Sequence, residues 1–256
     1  YHYLNEMNEV NPSDSRLVIM SGIKIKDAKE VCNNKSLKYR AFDAASVDMV
    51  ASLLKKGAIG GIARDGAEFG PRALGNRSII ADPSNQMSLY NINKYIKNRE
   101  DFRPLAPIIL EGYAGKYFDI QSNSLKLCDN MLTLVQSKTA IKLKQKSSDI
   151  VELIESPDKI FPSVVHLDGT SRLQIYKSNS PKDILYQILN AMPYKTLVNT
   201  SMNVRGEPIV NTADEAIECF LSCKLAFLIL QDLVILRDDQ NELALMNFRK
   251  SNFEYD

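Results

Sequence analysis

Only two histidines, His2 and His166, occur in the 256 residues, so a histidine-rich metal centre is excluded within the chain. The four cysteines, at 32, 128, 219 and 223, include no Cys-x-x-Cys pair. Cys219 and Cys223 fall four residues apart on an expected helix, but no nearby histidine completes a zinc set. They read as buried core thiols, and no metal ligand is assigned. No run of about 18 apolar residues is present, so nothing in the sequence reads as a membrane span. No secretory signal is visible, and a cytoplasmic location is the expectation. Excess charge of one sign is also missing: 32 basic against 31 acidic residues leave a net +1. There is no bulk pull toward nucleic acid or an anionic membrane, although a local basic surface remains open. Neither Gly-x-x-x-x-Gly-Lys-Ser/Thr nor Gly-x-Gly-x-x-Gly occurs, and no Gly-x-Ser-x-Gly presents a nucleophile.

What is present is the composition of a globular protein, 45% hydrophobic and 25% charged. One large domain, or a domain with an appendage, is expected. Residues 1–40 are polar and weakly periodic, with a turn cluster at Asn11-Pro12-Ser13-Asp14-Ser15 and a short helix over Ile25 to Val31. They read as a connector or arm preceding a domain over 41–256. The first residue is Tyr1, so an upstream portion is expected. A helix begins at Asp43, carries Val47, Val50, Leu53 and Leu54 as an apolar stripe, and ends at Gly57. A strand over Ala58 to Ala63 follows. Next come a helix from Gln86 to Asn98, with Leu89, Ile92, Asn93 and Ile96 on one side, and a buried strand from Leu105 to Leu110. Ser137 to Ser148 alternates apolar residues with Lys138, Lys142, Lys144 and Lys146, as an exposed hairpin or arm would; a solvated face is the default reading. Ser163 to Leu167 reads as a strand before a turn at Asp168-Gly169-Thr170, and Leu173 to Tyr176 as extended chain. A helix from Pro181 to Met192, a strand from Thr196 to Asn199 and a helix from Thr212 to Leu225 come next. Ala226 to Leu230 and Leu233 to Arg237 form a hairpin about Gln231-Asp232. The mixture predicts an α/β or α+β fold.

Four segments carry the chemistry. Residues 68–78, Glu-Phe-Gly-Pro-Arg-Ala-Leu-Gly-Asn-Arg-Ser, cannot be a helix interior or a central strand, because Gly and Pro disfavour both. As a loop, the run offers Arg72, Arg77, Asn76 and freed backbone N–H groups to phosphate or carboxylate oxygens. Residues 96–104 hold Lys97, Arg99 and Arg103, which share one side if the chain is extended and can clamp neighbouring phosphates. Residues 199–208 follow a strand and carry Ser201, Asn203 and Arg205, suited to hydrogen-bond phosphate oxygens or orient a nucleotide. Residues 166–172 supply His166, Asp168 and Arg172. Asp168 can bind Mg²⁺ through water or hold an arginine, and His166 reads as a structural hydrogen-bonding residue. If these loops converge, the pocket is strongly cationic, and phosphoryl or nucleotidyl chemistry gains mainly from such positioning and charge neutralisation.

Together, EFGPRALGNRSIIADP (68–83), IKNREDFRPLAP (96–107), HLDGTSRLQ (166–174) and NTSMNVRGEPIV (199–210) resemble the C-terminal domain of NodU/CmcH-type O-carbamoyltransferases. The motifs run in order over about residues 41–237. The resemblance implies a YrdC-like fold, a twisted mixed sheet flanked by helices, whose Lys-x-Arg…Ser-x-Asn signature is similar to Lys97-Asn98-Arg99 and Ser201-Met202-Asn203. Met202 stands where the family usually has an aromatic residue. The family's chemistry implies that this domain takes carbamoyl phosphate and ATP, with Mg²⁺, and forms carbamoyl-adenylate. Arg72, Lys97, Arg103, Arg172, Asn203 and Arg205 carry over as contacts to carbamoyl phosphate and ATP. The family also implies an ASKHA-type domain with a histidine-rich metal site, where the carbamoyl group passes to an acceptor hydroxyl. That domain is not in this sequence, so a fragment of a longer enzyme or a separate partner subunit is expected. Homo-oligomerisation stays open. Two alternatives stand beside this reading: a threonylcarbamoyl-AMP synthase-like enzyme of the same fold, and a non-catalytic nucleotide- or nucleic-acid-binding module using the lysine-rich arm.

Overall fold

The computed structural model describes residues 25–140, 158–178 and 180–241. An eight-stranded mixed sheet organises them. In chain order its strands are β1 (Arg40–Ala41), β2 (Gly60–Ala63), β3 (Arg77–Ala81), β4 (Ala106–Leu110), β8 (Gln174–Tyr176), β9 (Thr196–Ser201), β10 (Phe227–Leu230) and β11 (Leu233–Leu236). Across the sheet they run β1-β11-β10-β2-β3-β9-β4-β8. A smaller sheet joins β5 (Phe118–Asp119), β6 (Val135–Ser137) and β7 (Thr170–Ser171). The expectation of a mixed sheet flanked by helices is met.

Helices cover both faces. Asp43 caps α2 (Ala44–Lys55), its carboxylate accepting from the Ser46 N–H at 2.8 Å. The expected apolar stripe of α2 then buries Val50 and Leu54 against Ile62, Ile80, Ile108 and Leu197, together with Leu185 and Ile188 of α6 (Ile184–Ala191). The other face packs Ile79, Ile109, Val198 and Leu228 against α1 (Ile25–Asn34) and α7 (Ala213–Ser222). Neighbouring residues thus split between faces, as the pleat requires: Ile79 from Ile80, Ile108 from Ile109, Leu197 from Val198. Each such apolar side chain contributes about 1.5–3 kcal/mol by leaving water.

Residues 25–40, part of the stretch read as a connector, belong to this packing. Ala28 and Cys32 are fully buried, and Lys35 pairs with Asp214 at 3.0 Å and Glu218 at 3.4 Å on α7. All four cysteines are buried, and burial pushes the Cys32 and Cys128 thiols up to about 11.

Two local expectations are corrected. Ser163 to Leu167 forms turns rather than a strand. The N–H groups of Val164 and Val165 both turn back to the Phe161 carbonyl, and the Ser163 hydroxyl binds the Asn85 carbonyl, so local turn bonding overrides β propensity. The helix expected over Gln86 to Asn98 is α3 (Met87–Asn91) followed by one π-helical turn, Ile92–Ile96. Lys97 ends that turn and Asn98 takes φ 42°, so Lys97, Arg99 and Arg103 do not lie on an extended segment. Most of the lysine-rich stretch, from residue 141 onward, lies outside the described residues.

Strand polarity places the motifs. β3 and β4 each pair antiparallel to β9, and β8 runs parallel to β4. The starts of β3, β4 and β8 and the end of β9 therefore share one end of the sheet. The four motif segments all emerge there.

Candidate active site

The loop from Arg64 to Asn76 is built around one carboxylate. Oε1 of Glu68 accepts from the N–H groups of Leu74 (2.7 Å), Asn76 (2.7 Å) and Arg77 (3.2 Å). Gly75 sits at φ 108°, where a Cβ would stand 2.5 Å from Leu185 Cδ2, so only glycine fits the bend. Arg77 is fully buried, and its guanidinium donates to the backbone carbonyls of Arg64, Asn76, Asp65 and Asn211. The Asn76 amide donates to the Gly66 carbonyl at 2.8 Å. Both side chains face the protein and shape the loop; the structure does not bring them to the cavity described below.

The second segment hangs from Asn93, fully buried on the π-helical turn. Its Nδ2 donates to the carbonyls of Asp101 (2.9 Å) and Arg103 (2.8 Å), and its Oδ1 accepts from Arg99 Nε at 2.7 Å. Lys97 turns inward. Its ammonium donates to the carbonyl and hydroxyl of Ser201 and to the carbonyl (2.9 Å) and Oδ1 (2.7 Å) of Asn203. Ser201 Oγ also donates to Asn203 Oδ1 at 2.7 Å. The Lys-x-Arg and Ser-x-Asn pairs are thus brought together in space. Burial pulls the Lys97 pKa down to about 8.

His166 and Asp168 organise a turn. Asp168 accepts from the Thr170 N–H (2.9 Å) and hydroxyl (2.7 Å), which holds its pKa below the ordinary carboxylate value. His166 Nδ1 lies 3.2 Å from the same hydroxyl, and burial lowers its pKa. Beyond the turn comes Arg172. Arg205 is exposed and donates to the Asn98 carbonyl at 3.1 Å.

A cavity of about 300 Å³ opens among these segments. Arg72, Arg99, Arg103 and Arg172 line it, with Asn199, Thr200 and Ser201 from β9 and Leu105 and Ala106 from the start of β4. Among the described residues, none of the four arginines has a carboxylate within ion-pair distance. Their charges oppose one another. Burial and then the charge of Arg72 lower the Arg172 pKa. Arg99 is lowered by burial and then by Arg103, with Glu100 opposing and Arg172 adding. A site holding unpaired like charges is relieved by an anion, and guanidinium forks suit phosphate oxygens.

Of the twelve residues singled out from sequence, Arg72, Arg99, Arg103, Arg172 and Ser201 line the cavity. Lys97 and Asn203 back it through Ser201, whereas Arg77, Asn76, His166 and Asp168 shape loops, and Arg205 lies outside the lining. Sequence reasoning passed over Asn93 and Gln174, and assigned no site role to Asn199. The signal for Asn93 was present, an amide within an apolar helical stripe; Asn199 counted as one of the two amides of the 199–208 segment without a role of its own, and Gln174 read only as part of extended chain. Among the described residues no carboxylate lines the cavity, so these side chains do not by themselves make a magnesium site. Among the described residues no group of three His, Cys, Asp or Glu side chains is placed to hold a metal.

Residues 51–237 match the family model described as carbamoyltransferase C-terminus. The chain belongs to that family. It is 33% identical over 215 residues to the nodulation protein NolNO of Sinorhizobium fredii, covering 80% of this chain and 29% of that protein. Against NolO of Bradyrhizobium diazoefficiens the identity is 32% over 200 residues, 77% of this chain and 33% of the relative. An uncharacterised Synechocystis protein is 35% identical over 216 residues, 81% and 34% of the two chains. This carbamoyltransferase domain therefore spans about a third of the length of these relatives. Among solved structures, full-length HypF in its phosphate- and nucleotide-bound form aligns at TM-score 0.46 and 17% identity, over 75% of this chain and 25% of HypF. Sua5 of P. abyssi aligns at TM-score 0.49 and 14% identity, over 75% of this chain and 50% of Sua5.

Proposed function

We propose that this domain binds carbamoyl phosphate and ATP at the arginine-walled cavity and forms carbamoyl-adenylate, for transfer to an acceptor hydroxyl by an ASKHA-type domain or subunit. The observation that carries the reading is the convergence of Arg72, Arg99, Arg103 and Arg172 on one cavity with no acidic partner in its lining. Membership of the carbamoyltransferase C-terminal family supports it.

The chemistry has two steps. Water cleaves carbamoyl phosphate to carbamate and phosphate. A carbamate oxygen then attacks the α-phosphorus of ATP, forming carbamoyl-AMP as pyrophosphate leaves. Neither step requires a side-chain nucleophile; both develop charge on phosphate oxygens, which the arginines neutralise in place. About 300 Å³ is at the small end of ligand pockets, enough for phosphate and carbamoyl groups, with the nucleoside extending beyond. Lys97, fully engaged on Ser201 and Asn203, acts as the internal tie that sets the end of β9. The described lining offers Mg²⁺ no carboxylate; such an ion would arrive held by the phosphates.

The test is exchange of labelled pyrophosphate into ATP. The reading predicts exchange that depends on carbamoyl phosphate. Absence of exchange with folded protein, and again after adding an ASKHA partner, would sink it. Exchange supported by threonine and bicarbonate would instead favour threonylcarbamoyl-AMP synthesis. Steeply salt-dependent RNA or DNA binding without turnover would favour a binding module.

A further inference from the structure

The cavity walls donate hydrogen bonds, but one buried atom of its lining accepts. Asn199 lies within β9, paired with Ile80 on one side and Ala106 on the other, and is 2% exposed. Its amide has only one workable orientation. The Leu74 carbonyl can only accept, so the Gln174 atom 2.8 Å from it is Nε2. Gln174 Oε1 is then turned toward Asn199, and the Asn199 atom 2.7 Å from it must be Nδ2. That nitrogen also reaches the Ala73 carbonyl at 3.0 Å. Both amide hydrogens are thereby engaged. Oδ1 is left buried with no partner among the described residues. Nε of Arg172, another lining residue, is likewise buried without an acceptor.

Unmet buried polar atoms are rare and call for an explanation. Ionised phosphate and carboxylate oxygens can satisfy Arg172 but have no hydrogen to give Asn199. A primary amide group, –CO–NH₂, offers both: a carbonyl oxygen and, beside it, an N–H. We propose that Asn199 Oδ1 is the specificity element that receives the carbamoyl NH₂, with Arg172 Nε on a neighbouring ligand oxygen. This rests on the carbamoyl-phosphate reading above and extends it, because it says how a cavity built for anions tells a carbamoyl from an acyl group. Gln174 is the positioning residue that, with the Ala73 carbonyl, keeps the Asn199 amide from turning over. Sites built to bond a buried N–H strongly reject the analogue that lacks it.

Acetyl phosphate is the probe, since a methyl group replaces NH₂ at nearly equal size. Titration calorimetry on the intact chain with carbamoyl phosphate, acetyl phosphate and inorganic phosphate separates the outcomes. The wild type is expected to prefer carbamoyl over acetyl phosphate by roughly tenfold or more. Asn199→Leu should bring the two to within about twofold by weakening carbamoyl phosphate alone, with inorganic phosphate unchanged. Gln174→Leu, which removes one of the two acceptors that hold the amide in place, should narrow the preference in the same direction but by less. If either variant melts early, the wild-type preference still decides. Equal wild-type affinity for both acyl phosphates, or a preference that survives Asn199→Leu, overturns the assignment while leaving the cavity as a phosphate site. A wild type that binds none of the three phosphates and no ATP overturns the proposed function, and this inference with it.

Discussion

Arg72 lies in the loop before β3 and Arg77 opens that strand; the side chains are the same, yet their surroundings give them opposite work. Arg72 is exposed, unpaired and on the cavity wall; Arg77 is fully buried and holds backbone carbonyls. Arg72→Ala should lower carbamoyl-phosphate-dependent exchange by about 100-fold or more while leaving the melting temperature unchanged, because only a charge at the site is lost. Arg77→Ala should behave in reverse order. Several buried carbonyls lose their donor together, and stability should fall by roughly 3 kcal/mol or more in a denaturant titration. Lys97 gives a pH signature. Its pKa is about 8 rather than 10.5, so its proton leaves as pH rises through 8. The neutral amine can no longer satisfy Ser201 and Asn203 together, and exchange should decline on that alkaline limb. The sign for stability is the opposite. Between about pH 8 and 10.5 the unfolded chain binds this proton more tightly than the folded one, so Lys97 contributes rising stability there. Activity lost across that window without a fall in melting temperature separates deprotonation from unfolding.

Among the elements, the π-helical turn Ile92–Ile96 has the largest consequence for the site. It closes a wider ring, with Lys97 N–H on the Ile92 carbonyl at 2.8 Å, and π turns often mark functional positions. Asn93, buried within it, ties two loop carbonyls and Arg99 together. Asn93→Leu keeps the volume but removes those bonds; stability should fall by about 1–3 kcal/mol. The apparent KM for ATP should rise more than kcat falls, since Arg99 loses its anchor. The apolar spacing made this helix legible, and the capping carboxylate of Asp43 and the turn at Gln231-Asp232 marked their elements equally well. The π turn was not legible. It differs from an α-helix by one inserted residue, which leaves no trace in hydrophobic spacing. The turn also decides the geometry of Lys97 and Arg99, which even spacing would put on one side only if the chain were extended. Ser163 to Leu167 failed for a related reason: its valines suit a strand, but hydrogen bonds to Phe161 and Asn85 fold it into turns.

At the scale of the whole molecule, the mixed sheet converts four distant sequence motifs into one site. Antiparallel pairing of β9 with both β3 and β4 puts two loop entries and one strand exit at the same end. The arginines were legible because charged residues beside glycine and proline announce loops. Which arginine faces the cavity was not, since that depends on carbonyls contributed by other segments, such as Asn211 to Arg77. The roles of Asn199 and Gln174 were hidden for the same reason, their partners being the carbonyls of Ala73 and Leu74 in another loop. The matched region is about a third of the length of these relatives. The cavity itself is open to a direct measurement: a crystal structure of the domain soaked with carbamoyl phosphate. The account predicts phosphate density within hydrogen-bond reach of Arg72, Arg99, Arg103 and Arg172. Density elsewhere on the protein, with this cavity empty in crystals that retain exchange activity, would contradict it.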